Sequence, residues 1–323
     1  MKIPDKAVEA KKMPVPGSIV VYGEVKTGKT TFFRDIARVF GEDTMFGVTQ
    51  DSHRSITCRK NYLRTWKECE EWKEAVLQMP VNGNRFICAD TYDELVELAR
   101  DRVLEKHDKQ TLNEVHGGIG GEGFKEHRRL VAKWYFDLIK SGRIVMGVSH
   151  AQWEEIKTGG IPVQKMTSTL SGKAGRGFTK EADAFMLLTF PRIDRKGHNI
   201  ARKDEFLKTT VVDIRESKNW SKEFKNIQDH QRVLVCHPSA VCDCGVRSES
   251  KPFPAIVTVG SQPENTAENF VRIWQETIGL IKKGGKLITD LSALNVRTPK
   301  EKESTVRTGK VGTKKPRPSL KKR

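Results

Sequence analysis

Over its first 190 residues the chain switches repeatedly between short apolar runs and apolar stripes at helical spacing. SIVVYG, at 18–23, has the pattern of a buried strand. In KTTFFRDIARVF, at 29–40, Phe32, Phe33, Ile36, Val39 and Phe40 share one helical face. TMFGVTQD (44–51) and RFICAD (85–90) read as the second and third strands, each running into polar residues. TYDELVELARDRVLEK (91–106) follows, a helix with the stripe Leu95, Leu98 and Val103. VHGGIGGEGF (115–124) holds five glycines and reads as a mobile loop. HRRLVAKWYFDLIKSG (127–142) is a helix with Gly142 where a C-cap would sit. RIVMGVSH (143–150) predicts a fourth strand ending in His150, and AFMLLTF (184–190) a fifth; the glycine- and lysine-rich stretch 157–183 between them reads as loop. Strands alternating with helices predict an α/β fold with a mostly parallel sheet flanked by helices.

Beyond the fifth strand the pattern loosens. Residues 206–217, 231–240 and 254–260 read as later strands and 265–285 as a closing helix. The organisation expected is a polar lead-in at 1–16 and a core at 17–285. The core carries an insertion at about 192–230 and a cysteine-containing hairpin at about 232–258. Residues 298–323 are Lys, Thr, Gly and Pro with almost nothing apolar, the composition of a disordered basic tail.

Composition sharpens this picture in two ways. The formal net charge is +17, of which the tail supplies +8, so the remainder still carries +9 and a polyanionic partner such as nucleic acid is the simplest reading. No apolar run approaches the roughly 20 residues that span a bilayer, and the N-terminus lacks a secretory apolar segment; a cytoplasmic protein with no membrane partner is expected. Cys58, Cys69 and Cys88 are scattered, while Cys236, Cys242 and Cys244 cluster without the spacing of a zinc knuckle, so ordinary thiols rather than a zinc site are expected.

The chemistry concentrates where the first strand meets the first helix. Gly23-Glu24-Val25-Lys26-Thr27-Gly28-Lys29-Thr30 fits G-x-x-x-x-G-K-[ST], the P-loop, followed by Thr31. The glycines permit a tight loop whose backbone N–H groups converge on phosphate oxygens. Lys29 would reach the β- and γ-phosphates of ATP, and the Thr30 hydroxyl would bind Mg²⁺. The helix dipole adds to the anion field. Such a site needs a second acid at a neighbouring strand end. Asp90 is the candidate, with N-capping of the next helix as its alternative role, a role Thr91 or Asp93 could also fill. Hydrolysis would also need a group to orient water. Asp51, beside Gln50, closes the second strand, and His150 sits at the tip of the fourth.

The order of these parts resembles the RecA-like P-loop ATPases encoded by bacteriophages, including those described as single-strand-annealing recombinases. The likeness extends over roughly residues 15–280 and rests on GKTTF, the acid after the second strand, Asp90-Thr91, VSH and EADAFMLL in that order. It implies a RecA-like core that binds ATP and Mg²⁺, assembles as a ring or filament of identical subunits and acts on single-stranded DNA in recombination, annealing or replication. A single-strand-binding protein is a further candidate partner. It also implies that loops near 117–123 and 157–180 face the DNA, the second bringing Lys165, Lys173, Arg176 and Lys180 to phosphates without sequence preference. In that family a late Lys-x-Arg pair reaches the γ-phosphate of the neighbouring subunit. Here Arg247 is retained with Gly245 at the lysine position, while the competing segment offers Lys218 but has Trp220 in place of the arginine. Asp51 stands where RecA proteins carry Glu, shortening its reach by about 1.5 Å. The alternatives are an ATPase motor, helicase-like or DNA-packaging, and a small-molecule kinase.

Overall fold

A computed structural model of the chain describes residues 12–50, 56–118, 120–158, 161–170, 172–194, 211–213, 227–228, 231–238, 242–248, 251–258 and 263–291. Asp51, Lys218, Trp220, residues 1–11, most of the expected insertion and the whole of 298–323 lie outside them.

The parallel core is built from β1 (Ser18–Gly23), β2 (Met45–Val48), β3 (Arg59–Tyr62), β4 (Phe86–Asp90), β5 (Ile144–Thr158) and β7 (Ala184–Thr189). In space the order is β7-β1-β5-β4-β2-β3, and all five of these pairings are parallel. Parallel neighbours need crossovers, and helices supply most of them: α1 (Lys29–Val39), α2 (Trp66–Gln78), α3 (Tyr92–His107), α4 (Glu122–Lys140) and α5 (Gly172–Glu181). The mostly parallel, helix-covered sheet expected from the sequence is present.

Both faces of the sheet are dry. Under α1, Phe32, Phe33 and Ile36 join Val21, Met146 and Met186 in one buried cluster, closed by α6 (Pro263–Thr277) through Phe270 and Trp274. On the opposite face, Trp72, Tyr92, Trp134, Tyr135 and Phe178 bring α2, α3, α4 and α5 onto the sheet. Tyr92 and Phe178 stack at 4.1 Å between centroids. The lead-in is tied down at its end, where Trp274 Nε1 donates to the Met13 carbonyl at 2.8 Å and Gln275 to that of Pro14 at 3.1 Å.

Antiparallel strands extend the sheet past β7. β10 (Val233–Val235) pairs with β7 and with β12 (Ile256–Thr258), while the two-residue β11 (Gly245–Val246) pairs with the beginning of β7. β8 (Arg192–Asp194) and β9 (Val211–Asp213) form a separate ribbon.

Three expectations are corrected. The fourth strand does not stop at His150. It runs on to Thr158 and is paired antiparallel by β6 (Ile161–Ser168), because the apolar run passes into an alternating Trp-Glu-Glu-Ile-Lys pattern around a Gly159-Gly160 dipeptide, a hairpin sequence. The segment 157–180 is therefore a strand and a helix rather than a long loop. The glycine loop is also shorter than expected, since α4 starts at Glu122. Finally, β3 and α2 fall in a stretch to which the periodicity assigned no element. The sequence signal for α2 is the capping box Thr65-x-x-Glu68, in which the Thr65 hydroxyl accepts from Glu68 N at 3.2 Å and the Glu68 carboxylate accepts from Thr65 N at 3.0 Å.

Candidate nucleotide-binding site

The loop between β1 and α1 owes its shape to two glycines. A Cβ on Gly23 would sit 2.3 Å from the Leu188 carbonyl oxygen, so only glycine lets β1 end against β7. Gly28 caps α1 at φ 91°, a backbone region open chiefly to glycine, and Lys26 also takes a positive φ of 65°. Val25 and Lys26 stand exposed at the tip of the loop, while Glu24, Thr27 and Lys29 are buried within it. The Thr27 hydroxyl donates to the Glu24 carbonyl at 3.0 Å, and Lys29 Nζ to the carbonyls of Gly23 and Glu24 at 2.8 and 2.6 Å. Burial pushes the Lys29 ammonium down to about 8, against the pull of Asp90, Asp93 and Glu24. The side chain is thus coiled back on its own loop, and a phosphate would offer stronger acceptors than the two carbonyls.

One residue further on, the Thr30 hydroxyl donates to Asp90 Oδ2 at 2.6 Å. Asp90 closes β4 and is buried, with Thr49 N donating to its carbonyl at 2.8 Å. The Asp90–Thr91 peptide is cis. Thr91, not Asp90, caps α3, its hydroxyl accepting from Glu94 N at 3.4 Å. Thr30 and Asp90 form a hard oxygen pair in direct contact, the donor set that Mg²⁺ takes. They are the residues that would hold the ion, which when bound supplies charge neutralisation on the phosphates. Thr31 is half-buried in the first turn of α1.

His150 pairs in register with Gly23, which puts it beside the loop. Its backbone is held by Asp93, a residue the sequence offered only as one of several helix caps. Asp93 accepts from His150 N at 2.9 Å, from the Ser149 hydroxyl at 2.9 Å and from the Thr169 hydroxyl at 2.5 Å. One carboxylate therefore joins the start of α3 to β5 and to the segment after β6. Asp51 lies three residues past the end of β2 and outside the described residues, with Gln50 the last residue described before it.

The four basic candidates separate. Lys165, on β6, forms an ion pair with Asp243 and is largely covered. Lys173, Arg176 and Lys180 lie along the outer face of α5, whose inner face carries Ala174, Gly175 and Phe178. Lys173 also borders a cavity of about 460 Å³ between α3, α4 and the glycine loop, lined among others by Asp93, Gly120, Phe124, Arg128 and Thr169. Arg247 is remote from the P-loop of its own chain. β11 pairs with the first residues of β7, its guanidinium donates to the Lys180 carbonyl, and its N–H donates to the Asp183 carbonyl at 2.8 Å. Asp183, from the EAD sequence, accepts from Ser18 N at 3.1 Å, fastening the same far end.

A family model for the AAA domain matches residues 16–236, more than half of the chain and all of the parallel sheet. The chain belongs to the AAA domain family. Its fold is a mostly parallel sheet flanked by helices, with the phosphate loop after the first strand. Among solved structures, the crystal structure of the RadB recombinase is similar at a TM-score of 0.32 and 11% identity, over 55% of this chain and 78% of that one. No curated protein matches the chain.

Beside Tyr22 lie Cys242 and Cys244 of the cysteine cluster. The Tyr22 hydroxyl donates to the Asp243 carbonyl at 2.5 Å and lies 3.6 Å from Cys244 Sγ, and burial pushes the thiols of Cys236 and Cys244 up. Among the described residues, no three His, Cys, Asp or Glu side chains gather as a metal-holding group, and no helix is long and apolar enough to cross a membrane.

Proposed function

We propose that the chain is an ATP- and Mg²⁺-binding protein that grips single-stranded DNA in phage recombination, annealing or replication, and that it works as a homo-oligomer in the cytoplasm. The observation that carries the nucleotide half is the contact of Thr30 with Asp90 beside a buried Lys29 that donates to its own loop's carbonyls. The DNA half is supported by the exposed row Lys173, Arg176 and Lys180, which starts at the phosphate end of the sheet, and by the cavity joining that helix to the glycine loop.

In this reading Lys29 would reach the phosphates, Thr30 and Asp90 would hold the ion, and Asp51 or His150 would orient water. Asp93 acts by position. Any change at the phosphate end that moves Asp93 also moves β5 and the segment leading into α5, which couples nucleotide state to the basic face.

The test is fluorescence anisotropy with a labelled single strand. Binding should weaken steeply between about 50 and 200 mM salt, show little sequence preference, and lose part of its salt slope in a Lys173→Ala/Arg176→Ala/Lys180→Ala variant. An unchanged slope in that variant would remove α5 from the DNA interface. The cavity also suits a nucleoside-sized acceptor, which is what favours a small-molecule kinase as the second reading. Phosphorylation of a nucleoside at a rate unaffected by DNA would decide for it.

A further inference from the structure

Arg232 belongs neither to the P-loop pattern, nor to the basic loops, nor to the segments around Lys218 and Arg247, yet the fold delivers it to the phosphate loop. β10 runs antiparallel to β7, with Val233 opposite Thr189, so the first residues of β10 arrive at the C-terminal ends of the parallel strands. Just before β10, Gln231 N donates to the Gln228 carbonyl at 3.0 Å and Gln228 N to Gln231 Oε1 at 2.9 Å. The guanidinium then lies over Gly28, where a Cβ would come within 2.7 Å of one terminal nitrogen and 3.2 Å of Cζ.

We propose that Arg232 is a phosphate-binding residue supplied from outside the P-loop, clasping the phosphates of a bound nucleoside di- or triphosphate against the N-terminus of α1. Two physical points carry this. First, among the described residues the Arg232 side chain has no carboxylate and no hydrogen-bond acceptor, although burial is sufficient to depress its pKa. Second, it lies at the positive end of a helix dipole, on the glycine that begins the helix. A half-desolvated cation facing converging N–H groups is unfavourable while the cradle lacks an anion, and becomes favourable once phosphate oxygens lie between them. The planar fork of arginine matches two phosphate oxygens at once, which a lysine cannot do. A Cβ at Gly28 would push the guanidinium aside, in addition to straining the positive φ.

This inference rests on the nucleotide-binding reading above, and the experiment separates the two. Binding of fluorescent ADP and ATP, and the nucleotide-induced rise in melting temperature, are measured on the full chain for Arg232→Ala, Arg232→Lys and Lys29→Ala. Arg232→Ala is expected to weaken both nucleotides by about ten- to a hundredfold, as for loss of a charged hydrogen-bonding group. Its melting temperature without nucleotide should be no lower than the parent's, because the side chain has no partner among the described residues and its charge is uncompensated there. Arg232→Lys should recover part of the loss. Should Arg232→Ala melt early, Arg232→Met, which keeps the stem, is read in its place against the same expectation. Parental affinity in Arg232→Ala alongside loss of binding in Lys29→Ala would overturn the role of Arg232 alone. Retained binding in Lys29→Ala would overturn the nucleotide reading and this proposal with it.

Discussion

The two ends of β7 receive two arginines by the same device and leave them in opposite circumstances. At the C-terminal end, antiparallel β10 brings in Arg232, which lies over Gly28 with no partner among the described residues. At the N-terminal end, antiparallel β11 brings in Arg247, which is bonded to the Lys180 carbonyl and whose backbone is bonded to Asp183. Near Arg247 the polar groups fasten one element to another: Asp183 holds Ser18, whose hydroxyl contacts that of Tyr135. Around Arg232 they are held in reserve, with Lys29 bent back on its own carbonyls and Thr30 resting on Asp90. The lesson is that a parallel sheet is asymmetric. Helix N-termini and strand C-termini gather at one end, so that end attracts anions, while the other end is free to serve as a fastening.

Substitutions at each end should therefore separate binding from stability. The largest effect is expected from Lys29→Ala, which should cost at least about a hundredfold in nucleotide affinity while leaving the melting temperature of the nucleotide-free protein near the parent's. Calorimetric titration checks the first and thermal unfolding the second. Gly23→Ala should lower both together. Its Cβ would meet the Leu188 oxygen at 2.3 Å, and prising β1 from β7 should cost about 1–3 kcal/mol, visible as a drop in melting temperature along with weakened nucleotide binding. At the far end, Asp183→Ala strands the Ser18 N–H and should cost about 1–3 kcal/mol of stability with ADP affinity unchanged. A parallel loss of affinity would mean that the two ends are not independent.

The pH dependence offers a finer test. Lys29 in the nucleotide-free protein titrates near 8, below its unfolded value, so holding it charged costs stability at lower pH and that cost is relieved as pH rises from about 8 toward about 10.4. Phosphate binding needs the charged form. Affinity should be insensitive to Lys29 below about pH 8 and fall by up to about tenfold per pH unit above it, with a proton taken up on binding. Titrations in buffers of different ionisation enthalpy would read that proton directly, and its absence at about pH 9 would place the Lys29 ammonium in water. The smallest effect is expected from Arg247→Ala, which should leave ADP affinity within error. Should it reduce ATP turnover in the assembled protein alone, Arg247 would act on a neighbouring subunit.

Much of the phosphate end was legible in the sequence because it is local. Gly23 to Thr31 are consecutive, and Asp90 stands at a strand end marked by an apolar run and a following helix. Asp93 could be read only as one of several caps, because its partners Ser149, His150 and Thr169 come from other elements. Lys165 read as a free cation because nothing local foretells that Asp243, on a distant hairpin, will cover it. From residue 157 on, the hairpin of β5 and β6 reads as loop because its polar alternation is a weaker signal than the apolar runs on either side.

By itself, then, the sequence determined the period of each core element, the phosphate loop, the acid that faces it and the excess of positive charge. These follow from short-range sterics, from apolar spacing and from residue chemistry. The tertiary structure alone decided which cations are spent and which are available. That depends on strand order and direction, set by burial summed over both faces of the sheet. Antiparallel β10 and β11 place Arg232 over the cradle and Arg247 at the opposite end, and no local pattern distinguishes the two.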